Sequence, residues 1–217
     1  TLIITANLLG AQWHAHFPSM TEPDTSPVHL NAGTAVRQAL FQVTSVMTTT
    51  GFGTADFDSW PSLSRMLLVM LMFVGGCAGS TGGGLKVVRL IMLVKMAYWR
   101  LESAFRPKTV RAIRVSGELV SEEVQRLVYG FFVLFMGVFV FGCLFMTALG
   151  LPFETALTSV AATLNNIGPG LEHVGPMANF RHVPGIGKLF LVFCMVLGRL
   201  ELFTIMVMLI PSFWSRD

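Results

Sequence analysis

Residues 126–149, RLVYGFFVLFMGVFVFGCLFMTAL, carry a single charge, Arg126, at their start. As a helix this run rises about 36 Å, more than the ~30 Å hydrocarbon core of a bilayer. A helix apolar on every face is either the centre of a large core or a membrane span. Composition decides between the two. Apolar residues make up 53% of the chain and charged residues 12%, about half the charged share of an ordinary soluble domain. The surplus is surface for lipid, so the expected fold class is an all-α multi-span membrane protein.

The net charge of +3 is modest, but the basic residues are unevenly placed. Lys86, Arg89, Lys95, Arg100, Arg106, Lys108, Arg111, Arg114 and Arg126 fall in one stretch. That stretch lies between two apolar runs, so it reads as a cytoplasmic loop obeying the positive-inside rule rather than a nucleic-acid site. Cys77, Cys143 and Cys194 are far apart, which gives neither a disulfide framework nor a metal motif. His14 and His16 read as solvated loop residues. The chain begins at Thr1 inside an apolar run, and is expected to be part of a longer protein.

Residues 2–11 read as the end of one span, followed by a Pro-rich polar loop. Residues 32–47 predict a helix too short to cross, with Asn31 as its N-cap. TTTGFGT (48–54) follows. The apolar run at 63–74 breaks into GGCAGSTGGG (75–84), and helical character resumes near Leu85. After the basic loop comes the span at 126–149. A second short helix is expected at 152–164, with Pro152 in its first turn and Glu154 near its positive end. NNIGPG (165–170) follows, then a last span at 186–210.

Span, short helix, glycine-containing loop and span thus occur twice. At an offset of 117, ALFQVTSVMTTTGFG (39–53) aligns with ALTSVAATLNNIGPG (156–170), with Gly51 over Gly168 and Gly53 over Gly170. This predicts two membrane–pore helix–membrane units, 1–103 and 126–217, joined by a basic linker, 104–125. Irregular backbone at membrane depth is tolerated where it is buried in protein or lines a water-filled cavity. Carbonyl oxygens there can replace the hydration shell of an ion. The negative end of each short helix would favour a cation. Thr49, Thr50, Gly51 and Phe52 are therefore expected to form one part of an ion filter, and Asn166, Ile167, Gly168 and Pro169 another. The potassium contacts fall at Thr49, Thr50, Asn166 and Ile167. Two units do not close a ring of four, so two more units, or a second chain, are expected.

TTTGFGTADF, GGCAGSTGGGLKVVR, ATLNNIGPGL and GRLELFT resemble the Trk/Ktr/HKT superfamily of potassium transporters, above all its bacterial TrkH/TrkG-type members. The resemblance covers nearly the whole chain and matches the third and fourth of the family's four repeats. It implies that Gly51 and Gly168 are the signature filter glycines. It also implies that Gly75, Gly76, Gly79, Ser80, Thr81, Gly82, Gly83 and Gly84 belong to an intramembrane gate loop beneath the filter, and that Arg199 faces the pore near that loop. Potassium is then the substrate, with no bound cofactor. The implied setting is the bacterial inner membrane, with the basic loop and the C-terminus cytoplasmic. The implied partners are a second copy in a homodimer and a cytoplasmic TrkA-like nucleotide-binding regulatory subunit. Gly53 departs from the pattern, which has a bulkier or Thr-like residue there.

Other readings are weaker on the residues. The glycine-rich loop lacks the G-K-[ST] of a phosphate cradle, and close helix packing on glycine is its simplest alternative role. Arg199 within an apolar span is by default functional. Glu201 lies two residues on, on a different helix face, so the two are not expected to pair. A membrane enzyme would need paired carboxylates or a nucleophile and base at membrane depth, and none is evident. A pore-less structural or assembly subunit is the remaining alternative.

Overall fold

A computed structural model describes residues 1–10, 31–76, 80, 82–105, 114–115 and 118–200. His14, His16, Cys77, Gly79, Thr81 and the stretch from Glu201 onward lie outside the described residues. Seven helices run along the described chain: α1 Leu2–Gly10, α2 Ala32–Met47, α3 Ser62–Met72, α4 Val87–Phe105, α5 Glu122–Ala148, α6 Phe153–Leu164 and α7 Gly185–Arg199. One short antiparallel pair, β1 Arg114–Val115 with β2 Glu118–Leu119, sits within the basic linker.

The short helices fall where punctuation placed them. α2 spans the expected residues, although Asn31 caps it without a side-chain hydrogen bond. Instead Thr34 Oγ1 donates to the Asn31 carbonyl at 2.7 Å. Pro152 is the residue before α6, not its first turn, and Glu154 stands in that turn. α5 begins four residues before the apolar run, because Ser121 caps it, accepting from Val124 N at 3.4 Å, with Glu122 and Glu123 in the first turn. At 27 residues it is about 40 Å long. Among the described residues it is the one helix both long and apolar enough to cross a membrane by itself.

α1, α2 and α3 pack together around Ile4, Leu8, Ala39, Phe57, Trp60 and Leu68. α5 and α7 pack on α6. α3 also touches α6, which joins the two groups. Phe73, just past α3, stacks edge-on against Phe139 of α5 at 5.0 Å between centroids, an arrangement worth about 0.5–1.5 kcal/mol beyond area burial. α4 lies along α5, where the Arg89 guanidinium sits 4.3 Å from the centre of the Phe131 ring.

α6 is buried along most of its length although it carries Thr155, Thr158, Ser159 and Thr163. A buried hydroxyl needs a partner, and the helix supplies most of them itself. Thr158 Oγ1 donates to the Glu154 carbonyl at 2.8 Å, Ser159 Oγ to Ala156 at 2.9 Å and Thr163 Oγ1 to Ser159 at 2.7 Å. Thr155 Oγ1 donates to Glu172 Oε2 at 2.6 Å. A short, polar-seeming helix is thereby held in the middle of the molecule.

Arg65 of α3 pairs with Glu154 at the start of α6 and with Asp58 at 3.2 Å, across partly exposed side chains. Partly exposed pairs contribute about 0–1 kcal/mol. Glu154→Gln is therefore expected to lower the thermal unfolding midpoint only slightly. Arg65→Ala should lower it further, since Asp58 then also loses its partner.

Candidate functional site

The two loops that follow the short helices share one backbone design. At the end of α2, Thr48 N donates to Thr44 O at 2.9 Å, Thr49 N to Val46 O at 3.1 Å and Thr50 N to Ser45 O at 2.9 Å. At the same offset of 117, Asn165 N donates to Ala161 O at 3.1 Å, Asn166 N to Thr163 O at 3.0 Å and Ile167 N to Ala162 O at 2.8 Å. Each helix therefore ends in a Schellman motif, which requires a left-handed residue just past the cap. Thr49 (φ 56°) and Asn166 (φ 55°) fill that position. Asn tolerates it, whereas a β-branched Thr is strained there by roughly 1–3 kcal/mol. Two residues further on, Gly51 (φ 77°) and Gly168 (φ 117°) are again left-handed.

The loops also meet. A Cβ on Gly51 would overlap the carbonyl oxygen of Ile167 and lie 3.3 Å from Pro169 Cδ. Gly168 faces open space, Thr50 and Phe52 are exposed, and Ile167 is buried. The first loop is tied to its helix from the side: Ser45 Oγ donates to the Phe52 carbonyl at 2.8 Å. Gln42, nearly fully buried, reaches the same loop. With its amide oxygen turned to the two donors it faces, Gln42 accepts from Thr54 N at 2.9 Å and Ala55 N at 3.2 Å. Gly53 has a φ that any residue adopts, and a Cβ there would come no closer than 3.4 Å to Pro176 Cβ. The departure at this position is thus tolerated by the backbone.

The glycine-rich loop lies against both of these loops. Val74 and Leu85 bridge in parallel at its neck, where Gly75 N donates to Leu85 O at 2.8 Å and Val87 N to Gly76 O at 3.3 Å. Within it, Gly82 N donates to Ser80 Oγ at 3.1 Å. A Cβ on Gly82 would lie 3.2 Å from Thr49 Oγ1, and one on Gly83 2.5 Å from the Asn165 carbonyl oxygen. Gly84 (φ 78°) faces the Asn165 side chain. The two ends of the break between α3 and α4 are thus tied to each other by backbone hydrogen bonds.

Arg199 is the last residue of α7 and is exposed, with no hydrogen-bond or ion-pair partner among the described residues. Its neighbour Gly198 packs closely on the second loop: a Cβ there would overlap the Leu164 carbonyl oxygen and lie 2.7 Å from Asn166 Nδ2. Asn166 Nδ2 itself donates to the Met195 carbonyl at 3.1 Å, which fastens the second loop to α7. Gln42, Ser45, Asn165 and Gly198 were not singled out from the sequence. Gln38, Gln42 and Ser45 do carry a signal, three polar residues at i, i+4 and i+7 on one face of an apolar helix.

Comparisons with known proteins identify the family. The profile of the TrkH family, described as cation transport protein, matches residues 9–216. The Trk system potassium uptake protein TrkH of Vibrio parahaemolyticus is 43% identical over 180 residues, 83% of this chain and 37% of the relative. TrkH of Escherichia coli K12 is 41% identical over 189 residues, 87% of this chain and 39% of the relative. The crystal structure of the potassium transporter TrkH from Vibrio parahaemolyticus superposes with a TM-score of 0.82 at 38% identity, covering 99% of this chain and 42% of that one. The chain thus spans about two fifths of the length of these relatives. They are transport proteins and not enzymes, as the sequence led us to expect. This chain belongs to the TrkH family of cation transport proteins.

Proposed function

We propose that this chain forms half of a potassium pathway across a bacterial inner membrane. In this reading residues 1–103 and 126–217 are two membrane–pore helix–membrane units. Loops 48–54 and 165–170 supply two sides of a selectivity filter, and carbonyl oxygens at Thr49, Thr50, Asn166 and Ile167 coordinate potassium in place of water. The observation that carries it is the shared loop design. Two short helices end in the same hydrogen-bond pattern, each puts a left-handed glycine two residues later, and the two loops abut at Gly51 and Ile167. Such backbone is suited to aiming carbonyls at one axis.

Residues 75–84 act as the gate, with Gly82, Gly83 and Gly84 against Thr49 and Asn165 of the two filter loops. The interruption of the span between α3 and α4 supports this, because unwound backbone at membrane depth belongs where it lines a pathway. The basic linker and the C-terminus are cytoplasmic. The working assembly is a homodimer with a cytoplasmic TrkA-like nucleotide-binding subunit.

Arg199 faces the pathway from the end of α7, where its charge opposes cation passage. Arg199→Ala is expected to raise cation flux several-fold, and unchanged or lower flux in a well-folded variant would remove this role. The reading as a whole is tested by reconstituting the complete protein in liposomes. Potassium or rubidium uptake that exceeds sodium uptake is expected. A folded protein that passes no cation would instead be a pore-less structural subunit.

A further inference from the structure

We propose that Asn165 is a positioning residue for the glycine-rich loop: its side-chain oxygen, unsatisfied and pressed against Gly84, biases the loop out of the arrangement seen here. The inference rests on reading that loop as the gate.

Asn165 is fully buried. Its Nδ2 donates to the Ala161 carbonyl at 2.7 Å. That bond fixes the amide, since the opposite orientation would set oxygen against oxygen. Oδ1 therefore faces the loop, and it has no hydrogen-bond partner among the described residues. What it meets is the backbone of Gly84, close enough that a Cβ there would sit 2.5 Å away. Gly84 is left-handed (φ 78°) and turns its Cα toward this oxygen.

A buried acceptor without a donor is unfavourable, and the penalty exists only while the loop covers it. Once the loop withdraws, water can reach Oδ1. The arrangement seen here therefore carries a cost that the withdrawn one does not, and Asn165 shifts the balance between them. The other filter loop has no such feature. Its equivalent position is Thr48, which is exposed and satisfied, with Oγ1 donating to the Thr44 carbonyl at 2.8 Å and 2.7 Å from Thr50 Oγ1. The bias acts from one side of the loop.

Leucine matches the shape of asparagine without the polar atoms. In liposomes holding the complete protein, Asn165→Leu is expected to lower maximal rubidium flux about tenfold, the scale of one relieved orphan acceptor. The rubidium concentration at half-maximal flux and the potassium-to-sodium ratio should not move, and the thermal midpoint should rise. Gly84→Ala, whose Cβ would push on Oδ1, is expected to raise maximal flux. A more stable Asn165→Leu protein with unchanged flux overturns the proposal, as does a shift in half-saturation. If Asn165→Leu does not fold, Gly84→Ala decides alone: unchanged or lower flux in folded protein overturns it. If the unsubstituted protein passes no cation, the gate reading fails first and this inference fails with it.

Discussion

Gly51→Ala is expected to lower cation flux at least about tenfold and to weaken the preference for potassium over sodium. Two effects add at this position. The left-handed backbone (φ 77°) costs an alanine roughly 1–2 kcal/mol. The new methyl group would also overlap the Ile167 carbonyl oxygen, a group of the facing loop. Overpacking of this kind costs about 1–3 kcal/mol. The helices beneath can absorb none of it, because Ser45 and Gln42 hold the loop from behind. The strain must go into the two loops, which are the coordinating elements. Gly168→Ala is a useful contrast. It meets a backbone penalty at least as large (φ 117°) but no neighbour within 4 Å, so a smaller effect on flux is expected if the contact with Ile167 dominates at Gly51. Equal effects would mean that the meeting of the loops carries no weight.

Gly198→Ala is expected to destabilise the protein by about 1–3 kcal/mol, through overpacking, and to reduce flux along with stability. Its methyl group would enter the Leu164 carbonyl and crowd the Asn166 amide, prising α7 from the end of α6. The Asn166 bond to Met195 would go with it. Gly185→Ala in the same helix serves as the control. Nothing lies within 4 Å of a Cβ there, and although Gly185 is the first residue of the helix, alanine at an open site with compatible backbone gains roughly 0.4–1 kcal/mol by restricting the unfolded chain. Thermal unfolding of the two variants should therefore move in opposite directions.

The elements that local chemistry dictates were legible in the sequence. Asn31, Pro152 and the glycines after each short helix fixed α2 and α6 to within a residue, because caps and turns act over three or four positions. The start of α5 was read late, since the apolar run was weighed and the Ser121 cap with its two glutamates was not. The loop design is half visible: of the aligned glycine pairs Gly51 and Gly168 are left-handed and Gly53 and Gly170 are not, and nothing in the pattern marks the strain at Thr49. What stayed hidden depends on contacts between distant residues. Arg65 meets Glu154 across 89 positions, and Val74 bridges Leu85 from the far side of the glycine-rich stretch. Gly198 is one small residue among many in an apolar helix until α6 is laid against it. The expected approach of Arg199 to the glycine-rich loop comes from resemblance alone, since no local pattern in an apolar helix says what an arginine at its end will face.

The most direct measurement is to locate the ion. Diffraction from crystals of the complete protein grown in rubidium, collected at the rubidium absorption edge, should place anomalous density between loops 48–54 and 165–170, in contact with the carbonyl oxygens of Thr49, Thr50, Asn166 and Ile167. Clear density elsewhere along the pathway, with those carbonyls turned away from it, would contradict the account.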